Sequence, residues 1–122
     1  MKCVYKNRLG ANGEIIAKQF LLDKDLKFIK KNYRYERAEI DLIFENEKEK
    51  TLLFIEVKTR RSKEYGEPEE SVTHSKREQI KKAAMGFVSE NGKYQSYDLR
   101  IDIVSIFLKE GKTDINHIEN AF

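Results

Sequence analysis

The chain has 122 residues with 24 basic and 21 acidic side chains, a formal charge of only +3, so bulk charge argues weakly for a nucleic-acid partner and local clustering has to make that case. Its 39% apolar content suffices for one core despite 37% charged residues, which argues against disorder, and the single cysteine, Cys3, excludes an internal disulfide and a cysteine zinc site. No apolar run approaches the ~20 residues that span a bilayer, and no signal-peptide core is present, so a single soluble, cytoplasmic domain over residues 1–122 is expected.

Gly13 to Leu22 has apolar residues at helical spacing, with Asn12 as the expected cap and Glu14 in the first turn, where the helix dipole favours an anion. Phe28 to Tyr35 reads as a first strand. Ala38–Phe44 and Leu52–Lys58 read as the two arms of a hairpin, with Glu47-Lys48-Glu49-Lys50 as its turn. Arg60 to Glu70 reads as a loop containing Gly66 and Pro68. A second helix opens at Thr73 or Ser75, presents Ile80, Ala83, Ala84, Phe87 and Val88 on one face, and stops at Asn91-Gly92. Leu99 to Leu108 is expected as a strand, Gly111 as a turn, and Ile115 to Ile118 as a last short strand. The order α-β-β-β-α-β, with an optional final β, predicts an α/β fold: a mixed central sheet flanked by helices.

The hairpin is the informative element, because each arm carries charge where a strand is normally apolar. Asp is depleted in strands, and a carboxylate removed from water is costly unless it is paired or binds a cation. If Asp41 stands opposite Glu56, alternation puts Ile40, Leu42, Phe44, Leu53, Ile55 and Val57 on one face. The other face collects Glu39, Asp41, Ile43, Phe54, Glu56 and Lys58. A slip of one residue would drive Asp41 among the aliphatics, so burial favours this register. Opposed residues have Cβ atoms roughly 5 Å apart, close enough for Asp41 and Glu56 to share Mg²⁺ or Mn²⁺, with water and a substrate phosphate completing the shell. Lys58 would orient or activate that water, or neutralise developing negative charge.

The ordinary alternative is a solvated ion pair, and the same register offers one by setting Glu39 opposite Lys58. Glu14 could reach the same end of the sheet, although its spacing alone favours a helix-terminal acid of local value. Basic residues cluster around the proposed site. Lys58, Arg60, Arg61 and Lys63 follow the hairpin. Lys76, Arg77, Lys81 and Lys82 lie on the second helix, and Lys30, Lys31, Arg34 and Arg37 flank the first strand. Each run could be a solvated face, but three runs bordering one carboxylate pair favour phosphate contact, with Arg60, Arg61, Lys76 and Arg77 as the named candidates. Asp102 shares a strand face with Arg100, so a structural ion pair competes with a role in the site. His74 and His117 read as surface or packing residues.

Several blocks together resemble the YraN family of small bacterial proteins across nearly the whole chain. They are Gly13-Glu14 with Ala17, Asn32-Tyr33-Arg34, Glu39-Ile40-Asp41-Leu42-Ile43, Phe54-Ile55-Glu56-Val57-Lys58-Thr59-Arg60, Tyr65-Gly66, Val72, Lys76, Arg100-Ile101-Asp102-Ile103-Val104 and Asn120-Ala121-Phe122. The resemblance implies a restriction-endonuclease-like fold with the PD-(D/E)xK motif, similar to archaeal Holliday junction resolvases. On it, Asp41 and Glu56 are the motif's metal-binding acids, Lys58 is its catalytic lysine, and Glu14 matches the first-helix glutamate of resolvase-like members. It departs from the family where Ala38 and one of Asp25 or Leu26 stand in place of glycines, positions that matter if positive φ is required. The implied activity is a metal-dependent endonuclease acting on DNA, branched or repair intermediates included, alone or as a homodimer. The alternative is a non-catalytic nucleic-acid-binding or adaptor protein on the same fold.

Overall fold

The computed structural model describes residues 2–61, 72–109 and 111–122, with side chains described from residue 12 onward except at Lys109. The expected loop glycine Gly66, Tyr65, Pro68 and Lys63 lie outside the described residues. Helix α1 (Lys2–Leu22) leads into strands β1 (Lys27–Tyr35), β2 (Ala38–Asn46) and β3 (Thr51–Arg60). Then follow helix α2 (His74–Glu90), a short 3₁₀ turn (Gly92–Tyr94), and strands β4 (Asp98–Lys109) and β5 (Lys112–Ile118).

The sheet runs β1-β2-β3-β4-β5. Only β3 and β4 are parallel, and α2 lies between them in the chain; every other neighbour is antiparallel. Helices cover both faces, which explains why Ile43, Phe44 and Leu52 to Ile55 form unbroken apolar runs and are all buried. One core joins Ile43, Phe54 and Ile103 to Ile80, Ala83, Ala84 and Phe87 of α2. The other joins Leu42, Phe44, Leu53, Ile55, Val104 and Ile106 to Ala17 and Leu21 of α1. Among the described residues no helix is long and apolar enough to cross a membrane.

Helix α2 forms as its sequence reads. Thr73 caps it by accepting from the Lys76 N–H at 3.2 Å, and Asn91 ends it. Helix α1 does not start at Asn12; it begins at Lys2 and runs through Gly13. Gly13, expected as the first helical residue, lies inside the helix, and its lack of a side chain is a packing requirement. A Cβ there would sit 2.1 Å from Thr59 Oγ1 on β3. Gly13, Ala17 and Leu21 therefore form the stripe that seats α1 on the sheet. Glu14 is consequently an interior position of the helix, so the expected dipole argument for it does not hold.

Strands β2 and β3 adopt the expected register, with Leu42 opposite Ile55, Phe44 opposite Leu53 and Glu45 opposite Leu52, closed by a turn at residues 47–50. The expected face assignment fails at Ile40. It packs on the α2 side with Ala38 and Ile43, while Leu42 packs on the α1 side. Residues two apart thus face opposite ways, and the alternation breaks at Asp41. On the neighbouring strand Asn32, between the pairs Lys31–Leu42 and Tyr33–Ile40, adopts a left-handed φ of 51°. Of the two positions where family glycines are replaced, Asp25 holds a left-handed φ of 63°. Ala38 does not, and its buried methyl belongs to the α2-side core.

Candidate metal centre and phosphate-binding cleft

The irregularity at Asp41 builds the site. The β2–β3 ladder ends at Leu42–Ile55, one pair short of Asp41. Beyond it the Asp41 carboxylate takes over: Oδ2 accepts the Val57 N–H at 2.8 Å. A side chain thus does the work of a ladder carbonyl and fixes Asp41 beside the segment that carries Glu56 and Lys58. Glu56 is nearly buried, 8% exposed. Its Oε1 lies 3.4 Å from the Lys76 ammonium and 3.9 Å from that of Lys58. Thr73, by setting the start of α2, delivers Lys76 to this point. The alternative pairing of Glu39 with Lys58 does not form; the partner of Glu39 is Arg34 at 3.3 Å, on the adjacent strand.

Around this group opens a cleft of about 470 Å³, walled by Arg37, Glu39, Asp41 and Glu56 on the sheet side and by Thr73, Ser75, Lys76 and Gln79 on the α2 side. Burial, then the Glu56 charge, push the Asp41 carboxyl up to about 7; the Val57 N–H opposes this, while Glu14 and Glu39 add to it. Glu14 is likewise raised, by burial and then by Glu39 and Glu56, against Lys31. The Lys58 ammonium is pushed down by burial first and by Lys76 next, against the pull of Glu56 and Asp41. The charges of Asp41, Glu56, Glu39 and Glu14 therefore act on one another, Glu14 from inside α1 rather than from its end and without lining the cleft.

Other buried acids show the contrast. Glu45 accepts the Tyr97 hydroxyl. Asp102, fully buried, accepts two bonds from Arg100 at 2.9 and 3.0 Å, the Asn120 N–H at 2.9 Å, and a 2.7 Å bond from His117. Lys24 can only donate to His117 Nδ1, at 2.9 Å, so Nε2 carries the proton given to Asp102. Burial alone raises the Asp102 pKa, yet these partners hold it below the ordinary carboxylate value. Asp102 is structural, and His117, expected as a surface or packing residue, is instead its hydrogen-bonded partner, with a side chain only 4% exposed. Asp41, by comparison, has one backbone donor and a ring of like charge. That is the donor chemistry of a cation site.

Among the described residues no three His, Cys, Asp or Glu side chains are grouped so as to hold a metal ion. The Asp41–Glu56 pair instead suits Mg²⁺ or Mn²⁺, hard cations that keep waters and substrate oxygens alongside one or two carboxylates. Of the expected phosphate contacts, Lys76 lines the cleft. Arg60 closes β3 opposite Phe107, and Arg61 follows it. Arg77 donates to the Val72 carbonyl at 3.2 Å and lies 5.1 Å over the Phe122 ring, which ties the C-terminal residues to α2. Sequence reading missed Thr73, Ser75 and Gln79 as cleft residues; their spacing from Lys76 at the start of α2 was the available signal.

These features define an α/β protein whose central strands part around an acidic, lysine-flanked cleft. The chain belongs to the uncharacterised protein family UPF0102, whose sequence model matches residues 13–106. It is 41% identical over 114 residues to a UPF0102 protein of Syntrophomonas wolfei, covering 93% of this chain and 96% of that protein. It is 38% identical over 127 residues to one of Caldanaerobacter subterraneus, covering 100% of both. A UPF0102 protein of Pelobacter propionicus is 40% identical over 114 residues, 93% of this chain and 81% of the relative.

Proposed function

We propose that this protein is a Mg²⁺- or Mn²⁺-dependent endonuclease that hydrolyses phosphodiester bonds in DNA, branched or repair intermediates included, on a restriction-endonuclease-like fold. The observation that carries the reading is the Asp41–Glu56 pair: two largely buried carboxylates of one open cleft, repelling each other, with Lys58 two residues beyond Glu56. This matches the PD-(D/E)xK arrangement, and a surface that only bound phosphate would gain nothing from carboxylates facing it.

Asp41 and Glu56 would hold the divalent ion. The chemistry it supplies is neutralisation of charge on the phosphate and a lower pKa for the attacking water. Lys58 stands beside Glu56, and its lowered pKa increases the neutral amine available to take a proton from that water. Lys76 exchanges its ion pair with Glu56 for the substrate phosphate, and Arg37 faces the phosphate from the sheet side of the cleft. Arg60 at the end of β3 and Arg61 just beyond it would meet flanking phosphates. Glu14, whose charge acts on Asp41 from outside the cleft lining, would add to the site's preference for a cation.

The test incubates purified protein with linear, flapped and four-way DNA, and with RNA, in Mg²⁺, Mn²⁺ or EDTA, alongside Glu56→Ala and Lys58→Ala. Cutting that requires the cation and disappears in both variants is expected. Cutting that persists in EDTA or in both variants refutes the reading. Binding without cutting on every substrate replaces it with the non-catalytic adaptor.

A further inference from the structure

The carboxylate cleft does not end at Arg37 and Gln79. A second hollow of about 350 Å³ shares Arg37, Ala38 and Gln79 with it and adds Tyr35 and Lys82. A third, of about 390 Å³, shares Tyr35 and Lys82 with the second and continues to Met85, Gly86 and Ser89. Through these shared residues the three adjoin in a row, as a segmented groove between the β1–β2 turn and one flank of α2.

Both walls are built for it. Tyr35 pairs with Ala38 across a two-residue turn, and Glu36 holds that turn in a left-handed φ of 54°. A non-glycine residue in that conformation is uncommon, and here it fixes Tyr35 and Arg37 along one groove. On α2 the stripe Ser75, Gln79, Lys82, Gly86 and Ser89 advances by four, three, four and three residues, which keeps it on one side of the helix. From Ser75 to Ser89 that stripe is about 21 Å long, enough for several nucleotides of one strand. Gly86 is required where it stands, because a Cβ there would lie 2.4 Å from the Tyr35 ring. Met85, 68% exposed, is the large apolar side chain at the far end.

We propose that this groove holds a single-stranded nucleic-acid segment leading into the carboxylate cleft. The assignment of the cleft end rests on the nuclease reading above. The chemistry of the walls selects the occupant. Arg37, Lys76 and Lys82 succeed one another along the groove, opposed outside the cleft by Glu36 alone among the groove's charged linings, and give cations at intervals for a phosphate chain. Between and beyond them lie a tyrosine ring and a thioether, surfaces that favour an unstacked base over one kept inside a duplex. Only Ala38 and Ile80 among the linings are aliphatic, so the groove lacks the row of aliphatic pockets that an amphipathic protein helix would need.

Fluorescence anisotropy in EDTA, with a labelled oligothymidylate of about a dozen nucleotides and a blunt duplex of equal length, separates the outcomes. The exposed variants Lys82→Gln and Met85→Ser avoid the core. Wild-type protein is expected to prefer the single strand by about five-fold or more. Lys82→Gln is expected to weaken single-strand binding several-fold and reduce the log–log salt slope by about 0.7, the value for one phosphate contact. Met85→Ser is expected to weaken binding without changing that slope, because it removes stacking and no charge. Lys112→Gln, on the far edge strand, is expected to leave binding near wild type. Equal binding of duplex and single strand, or groove variants that bind as wild type does, overturns the proposal. So does a groove variant that alters only the sedimentation of the protein, which would assign the face to a second copy. The two readings fail separately. If nothing is cut but the groove variants still lose single-strand binding, the nuclease assignment falls and the groove stands. If wild type cuts, and groove variants cut single-strand-armed and blunt substrates as wild type does, the groove alone falls.

Discussion

Asp41→Asn should make the cation-free protein more stable at neutral and alkaline pH. The Asp41 carboxyl is raised from 3.8 to about 7 in the folded protein, by burial and then by Glu56. A folded-state pKa above the unfolded one gives stability that is complete below about pH 4 and is lost as pH rises through about 7. At 1.36 kcal/mol per unit, a rise of about three units corresponds to about 4 kcal/mol, an upper bound because Asp41 keeps some contact with water. About 2 kcal/mol is the working figure, or roughly 8 °C in Tm for a chain of this length. Asparagine preserves the acceptor for the Val57 N–H, so the substitution removes charge and little else. Thermal melts in EDTA should show the two proteins level near pH 4 and the variant ahead near pH 8. Adding millimolar Mg²⁺ or Mn²⁺ at the higher pH should raise the wild-type Tm and leave the variant unchanged, since binding to the folded state alone is stabilising. A variant equally or less stable than wild type near pH 8, or a difference that does not depend on pH, would refute the reasoning.

Glu56→Gln should abolish cation-dependent cutting while the fold survives; removing the acid between Lys58 and Lys76 should lower the Lys58 pKa further, visible in the ¹⁵N-lysine spectrum. Gly13→Val should destabilise by about 1–3 kcal/mol in urea melts, because its side chain meets Thr59 Oγ1 and forces α1 off the sheet. Asp102→Ala should cost about 3–5 kcal/mol, as it strands Arg100 and His117 around a buried void. Asp102 is held below its ordinary pKa, so its contribution is present above about pH 4 and is lost as pH falls through the lower folded value; acid melts of wild type against the variant should converge there. Asp25→Gly should stabilise by about 0.5–1 kcal/mol, since Asp25 holds a left-handed φ that glycine adopts without strain.

Much of this was legible because the physical signals were local. The β2–β3 register followed from the need to keep Asp41 out of the aliphatic core, and the turn at residues 47–50 from polarity. Helix α2 followed from a cap at Thr73 or Ser75, of which Thr73 is the one used, from its apolar spacing and from its stop at Asn91-Gly92. What escaped depended on partners distant in sequence. Gly13 looks like a helix boundary until Thr59 is known to press against it. Ile40 looks like a neighbour of Leu42 until the Asp41 carboxylate replaces a ladder carbonyl and turns the strand over. Asp102 looked ambiguous beside Arg100, and His117 and the Asn120 N–H, brought to it by β5 and the turn beyond, decide its role. The candidate site was legible as a cluster of charges, while the cleft wall on α2 needed the packing of that helix on the sheet.

The central claim is that Asp41 and Glu56 share a divalent cation. Anomalous diffraction from a crystal soaked in Mn²⁺ tests it most directly, with Asp41→Asn as the matched control. A peak is expected between the two carboxylates in wild type, and its loss in the variant. A wild-type crystal with no peak there, under soaking that places Mn²⁺ elsewhere on the molecule, would contradict it.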